Sequence, residues 1–212
     1  MAGFRRQRTS AVKASQESAP SPTPRDAHPS ADPDTQLMLL AAGGDRNAAD
    51  QLVDRNRARI AGFITHLVHD RRIVEDLTQD VFYAALRNAD QYRPTAKVST
   101  WLYRIATNTT LNYLKQRATR SRAAALPEGA QEPADRREPG PEQHVAQDEL
   151  RGQVSRAIRT LPLNQRIALT LCEYESCSYE QIATVLDTTV ESVRSLLRRA
   201  RLALRLELKE LE

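Results

Sequence analysis

The chain is poor in the residues from which most catalytic and metal sites are assembled. Aromatics make up 5% of its 212 residues, and it holds seven glycines and two cysteines. Neither a phosphate-cradling glycine loop nor a dinucleotide glycine fingerprint is present. Cys172 and Cys177 fit none of the common zinc spacings, and no second ligand pair of the usual spacing lies near them. His66 and His69 sit one helical turn apart without an evident cysteine or carboxylate partner. The expectation is a protein that is not an enzyme, with no cofactor and no metal, one thiol buried and the other half-exposed. No stretch approaches the roughly 18 apolar residues of a membrane span, and no apolar run of signal-peptide type opens the chain.

Two stretches lack apolar periodicity altogether. Residues 1–33 are rich in Ala, Ser and Pro, and residues 118–147 hold four prolines with mixed charge. Neither can bury enough apolar surface to offset the entropy of ordering. The first reads as a disordered basic tail and the second as a flexible linker. What remains, 34–117 and 148–212, is helical in period throughout, with no convincing strand. The fold class expected is all-α: two small helical domains, an N-terminal bundle of about four helices and a C-terminal helix-turn-helix.

In the first of these, helices are expected over 34–42, 46–68, 73–89 and 99–117, with a break at Pro94. In the second, Leu150, Val154, Ile158 and Leu161 form one stripe, and Pro162 is placed to open the next helix. Ser178 and Gln181 then have capping-box spacing. A short helix carrying Ile182, Ala183 and Leu186 follows, and Asp187-Thr188-Thr189 breaks it. Thr188 with Glu191 offers a second box, and Thr189 is the alternative cap. The last helix puts Val190, Val193, Leu197, Ala200 and Leu204 in one stripe.

Charge sharpens this picture. Net charge is only +4 overall, yet Arg194, Arg198, Arg199, Arg201 and Arg205 stand on the last helix against Glu191. At about 100° per residue, Glu191, Arg194, Ser195, Arg198 and Arg201 face away from the apolar stripe, flanked by Ser192 and Arg199. A focused basic face on the second helix of a helix-turn-helix is the arrangement that enters a major groove. Arg194, Ser195 and Arg198 are candidates for contact at or near bases, and Arg199, Arg201 and Arg205 for phosphates. In the first domain, Tyr92, Arg93, Lys97, Trp101, Tyr103 and Arg104 interleave rings and cations around a proline-broken loop. Such interleaving suits single-stranded nucleic acid, because bases stack on rings while cations track the backbone. Packing alone would also account for Trp101 and Tyr103.

The stretches "DLTQDVF", "STWLYRIATNTTLNYLKQR", "LPLNQRIALTL", "SYEQIATVL" and "VESVRSLLRRAR" closely resemble the ECF (extracytoplasmic-function) group of bacterial RNA polymerase sigma factors. The resemblance covers 35–117 and 148–208. It implies a cytoplasmic bacterial protein that binds core RNA polymerase and directs promoter recognition, DNA melting and transcription initiation. It also implies a stress-responsive role under an anti-sigma partner, without membrane insertion.

Carried over by matching position, Asp76, Gln79 and Asp80 would meet the polymerase. Tyr92, Lys97, Trp101, Arg104, Asn108 and Asn112 would meet the minus-ten element, capturing an extruded base at a cost of a few kcal/mol of lost stacking. Ser192, Arg194, Ser195, Arg198, Arg199 and Arg201 would meet the minus-thirty-five element. Ser99, Thr107, Asp187, Glu191 and Leu196 depart from the common pattern, so the promoter sequence is left open. A stand-alone helix-turn-helix regulator would share the second half but should bind duplex DNA without polymerase.

Overall fold

The computed structural model describes residues 32–68, 70–124 and 145–209. The expected tail through residue 31 and the linker segment 125–144 lie outside the described residues. Every described regular element is a helix, one short 3₁₀ turn included.

Aspartate opens three of the four N-terminal helices. Asp32 accepts from Asp34 N at 3.2 Å and starts α1, Pro33–Ala42, with Pro33 in the first turn where its missing N–H costs nothing. Gly44, at φ +93°, takes a left-handed conformation after α1 that only glycine adopts freely. Asp45 accepts from Ala48 N at 3.1 Å and starts α2, Arg46–Leu67. Asp70 accepts from Arg72 N at 3.0 Å, so α3 runs Arg71–Arg87, two residues earlier at each end than periodicity suggested. The 3₁₀ turn Ala89–Gln91 and a loop lead into α4, Val98–Ala124.

The segment "ATRSRAA" continues α4 past the expected linker start at 118. Alanine and arginine are among the best helix formers, and the first proline comes only at Pro127. Similarly, α5 spans Val145–Thr160 and begins three residues before the expected boundary at 148. After it come α6, Leu163–Glu173, α7, Tyr179–Leu186, and α8, Val190–Lys209.

Met38, Leu52, Phe63, Val81 and Leu102 anchor the N-terminal bundle, and Ile167, Leu171, Ile182 and Leu197 the C-terminal one. At the N-terminal end, Asp34 is buried but satisfied, accepting from Arg55 Nε at 2.6 Å and Asn56 Nδ2 at 2.9 Å. The two halves are in contact. A single apolar cluster joins them, with α4 packed on α7 and α2 on α6. Periodicity marks which face of a helix is buried, but it cannot say that α4 packs against both α2 and α3 of its own half and α7 of the other.

Candidate nucleic-acid interface

The helix-turn-helix is fixed by its caps. Ser178 N donates to Gln181 Oε1 at 2.8 Å while Gln181 N donates to Ser178 Oγ at 3.3 Å, completing the expected box. Ile182, Ala183 and Val185 are buried beneath α7. Its chain reverses at Asp187, in the left-handed region at φ 51°, ψ 54°. Aspartate tolerates that region better than most side chains, which is how it can stand at this turn. Of the two candidate caps for α8, Thr189 is used: Ser192 N donates to its Oγ1 at 3.2 Å.

Burial of Val193, Leu197 and Ala200 then aims the opposite face of α8 at solvent. Arg194, Arg198, Arg199 and Arg205 are all exposed. Arg194 lies 3.7 Å from Glu191, an exposed pair worth at most about 0.5 kcal/mol and easily exchanged for a phosphate. Arg199 Nε donates to Ser195 O at 3.3 Å, and both Ser192 and Ser195 are half-buried. Ser192 Oγ is also 3.1 Å from Thr189 Oγ1, so it serves the cap first. Arg198 makes no hydrogen bond or ion pair with any described residue and stands free at the centre of the face.

Arg201 stands differently from its neighbours. It donates to Glu173 at 2.8 Å and reaches Cys172 Sγ at 3.8 Å, a tie to α6 that holds its guanidinium charged and in place. Its expected contact with phosphate must therefore compete with a partner already in hand.

In the first half, α3 buries Val74, Leu77, Val81, Phe82 and Ala85. Asp76, Gln79 and Asp80 project outward together, all exposed and without a partner among the described residues. Tyr83, 69% exposed, continues the same face one turn further. Its spacing of three from Asp80 and seven from Asp76 is the signal in the sequence that places it on this face.

Next to this helix, Arg104, Asn108 and Asn112 form an exposed strip at intervals of four along α4. Lys97 and Trp101 are half-buried at the start of that helix. Tyr92 is not on the surface at all, being 3% exposed. Its hydroxyl donates to Ala96 O at 2.7 Å and lies 3.2 Å from Thr35 Oγ1, and burial raises its pKa. Its ring stands edge-on to Trp101 with centroids 5.7 Å apart, so Tyr92 braces Trp101 and offers no free stacking face. The apolar environment that a tyrosine prefers outweighed its use as a platform here.

Cys172 is half-exposed and Cys177 buried, and both are free, as expected. No group of three or more potential metal ligands occurs among the described residues. No helix among them is long and apolar enough to cross a membrane.

Comparison with known proteins adds family relationships to this geometry. Residues 52–120 match the family described as Sigma-70 region 2, and residues 151–204 match Sigma-70, region 4. The RNA polymerase sigma-H factor of Pseudomonas aeruginosa is 38% identical over 178 residues, 81% of this chain and 91% of that protein. The ECF RNA polymerase sigma-E factor of Escherichia coli K12 is 36% identical over 179 residues, 81% of this chain and 92% of its own. Among solved structures, CnrH in complex with the cytosolic domain of CnrY aligns with a TM-score of 0.63 at 26% identity, covering 84% of this chain and 97% of that one. The sigma factor RpoE from Bartonella quintana, in complex with the anti-sigma factor NepR, aligns at 0.59 over 76% of this chain and 96% of that one, its 21% identity speaking for the fold alone.

Proposed function

The chain belongs to the extracytoplasmic-function group of sigma-70-family transcription initiation factors, and from that premise we propose how its two halves divide the work. The α3 face of Asp76, Gln79 and Asp80, extended by Tyr83, docks core RNA polymerase. The α4 strip of Arg104, Asn108 and Asn112, with Lys97 and Trp101 at its head and Tyr92 behind Trp101, engages the minus-ten element and holds it melted. Guanidinium and amide groups at every fourth residue suit a strand whose bases are splayed from their stack.

The second half reads the minus-thirty-five element as duplex. Arg198 carries that reading: it is an exposed guanidinium at the centre of α8's polar face, with no partner of its own. Arg194 and Ser195 flank it toward the bases, while Arg199 and Arg205 lie toward the phosphates. An unpaired arginine can fork to guanine at no internal cost, which is the commonest specific base contact. Control by an anti-sigma factor is carried over from the family, and CnrH, the 26% identical relative, is likewise seen bound by another protein, the cytosolic domain of CnrY. Release of the chain under stress would then free both faces.

The test is co-purification with core polymerase followed by run-off transcription from promoters mapped on overexpression. A sigma factor associates with core and starts transcripts at defined sites. Tight binding to duplex operator with no association to core would overturn the proposal in favour of a stand-alone regulator.

A further inference from the structure

No residue of α1 belongs to the faces described above, yet its first turn holds a buried polar network. Asp34 accepts from Arg55 and Asn56 of α2, and Asn56 also donates from Nδ2 to Leu52 O at 3.1 Å. Thr35 N donates to Asp32 O at 2.9 Å, completing the turn. Asn56 and Thr35 are 2% and 3% exposed, so these groups meet protein rather than water. The network pins the start of α1 to α2 and leaves the Thr35 hydroxyl 3.2 Å from that of Tyr92.

Tyr92 passes this anchor on to the loop that precedes α4. Its hydroxyl donates to Ala96 O at 2.7 Å and so closes the loop on itself. Among the described residues no backbone hydrogen bond falls within 93–97, which makes the tyrosine hydroxyl the tie that shapes this stretch. Burial raises the Tyr92 pKa, which keeps the donated proton in place. On the near side of the loop, Arg93 donates to Asp90 O at 2.6 Å and to Tyr92 O at 3.1 Å. On the far side, Lys97 O accepts from Trp101 N at 3.2 Å as α4 begins. The path of the loop therefore sets where Lys97 and Trp101 stand, and the Tyr92 ring meets the Trp101 ring directly.

Apolar packing alone would be served as well by phenylalanine, which brings no hydroxyl to bury and satisfy. The hydroxyl has a different use, which is to join α1 to the loop. Resting on the function proposed above, a splayed strand gains most from a surface that already holds its shape. Any ordering of the loop on binding would be subtracted from the affinity.

We propose that Thr35 and Tyr92 are positioning residues for capture of the melted minus-ten strand: their hydroxyls anchor loop 93–97 to α1 and set Lys97 and Trp101 in place before the strand arrives. Neither residue needs to touch the DNA. Thr35 acts from another helix, through Tyr92.

Trp101 is the one tryptophan of the chain, so its emission reports on the site without a label. Tyr92→Phe and Thr35→Val each keep the outline of the side chain and remove its hydroxyl. On the free full-length chain, acrylamide should quench Trp101 more strongly in both variants, and the emission should shift to the red. The second measurement uses holoenzyme and a labelled single-stranded oligonucleotide carrying the non-template minus-ten sequence of a mapped promoter. Affinity for it should fall about tenfold in both variants, as when one base loses its stacking platform. Association with core polymerase should stay at the wild-type level. The double variant should be little worse than either single one, since both break one connection. Thr35→Ser keeps the hydroxyl and should restore both the emission and the strand affinity.

Unchanged quenching of Trp101, or unchanged strand affinity, in both variants overturns the proposal. So does an equal loss of strand affinity and core association, or a Thr35→Ser variant that behaves as Thr35→Val, because either would mean packing alone. The fluorescence measurement needs neither DNA nor polymerase. A wild-type holoenzyme that ignores the strand would overturn the proposed function itself, a result that remains distinguishable from failure of the positioning role.

Discussion

Arg198 and Arg201 are two arginines on one helix, three residues apart, and the structure predicts that they respond differently to salt. Arg198 is unpaired, whereas Arg201 is held by Glu173 at 2.8 Å. Each phosphate neutralised by a protein cation contributes about 0.9 to the slope of log affinity against log salt. A base contact instead contributes discrimination, about 1–3 kcal/mol for a good bidentate pair. Arg198→Ala should therefore weaken promoter binding by holoenzyme about tenfold or more and flatten the preference at one minus-thirty-five position. Where Arg198 also touches phosphate, the affinity lost between 50 and 200 mM salt would fall by about 3.5-fold, one contact's share.

Arg201→Ala should leave both slope and preference near wild type. Its cost falls on the domain instead, as loss of a half-exposed ion pair worth about 1 kcal/mol or less. The assay is fluorescence anisotropy of labelled promoter fragments, matched and singly substituted, across a salt series. An Arg201→Ala slope reduced as much as that of Arg199→Ala would refute the argument that a partner in hand removes an arginine from phosphate contact.

Two further outcomes are expected of the same structure. Asp80→Arg, on the exposed α3 face, should weaken core association about tenfold or more through misplaced charge, with an unchanged thermal midpoint because the side chain packs on nothing; native gel shifts with core measure it, and unaltered affinity would remove that face from the interface. Burial, reinforced by the Glu175 charge, pushes the Cys177 thiol up to about 12, so the folded chain keeps a proton that the unfolded chain releases from about pH 8.5. Stability should then be full below that pH and decline above it, and Cys177→Ala should flatten the alkaline limb in urea titrations, while an identical limb would show that other groups set it.

Much of this molecule could be read from sequence because its determinants are local. Capping residues, apolar stripes at a 3.6-residue period and the break at Asp187-Thr188-Thr189 each act within one or two turns, and they place α7 and α8 almost to the residue. The end of α4 was misplaced because composition was averaged over 118–147. Five of the first seven residues of that stretch are alanine or arginine, both strong helix formers, and the prolines that suggested a linker all come later.

The candidate site was legible to the extent that its residues act alone. Arg198 and the Asp76–Asp80 face were found because exposure follows from helical phase. Arg201 has a surface role by the same logic, and Tyr92 by the interleaving of rings and cations and by the family resemblance, yet both have partners far away in sequence. Glu173 lies 28 residues before Arg201, and Thr35 lies 57 residues before Tyr92. Phase says which way a side chain leaves its helix, but only packing decides whether a neighbour is already waiting there. Glu175 makes the same point most sharply: it sits in an ordinary turn, and only α2 and α4 folding beside that turn give its carboxylate two partners from the other half of the chain. Those partners are a property of the contact between the halves, and no reading of either half alone could have found them.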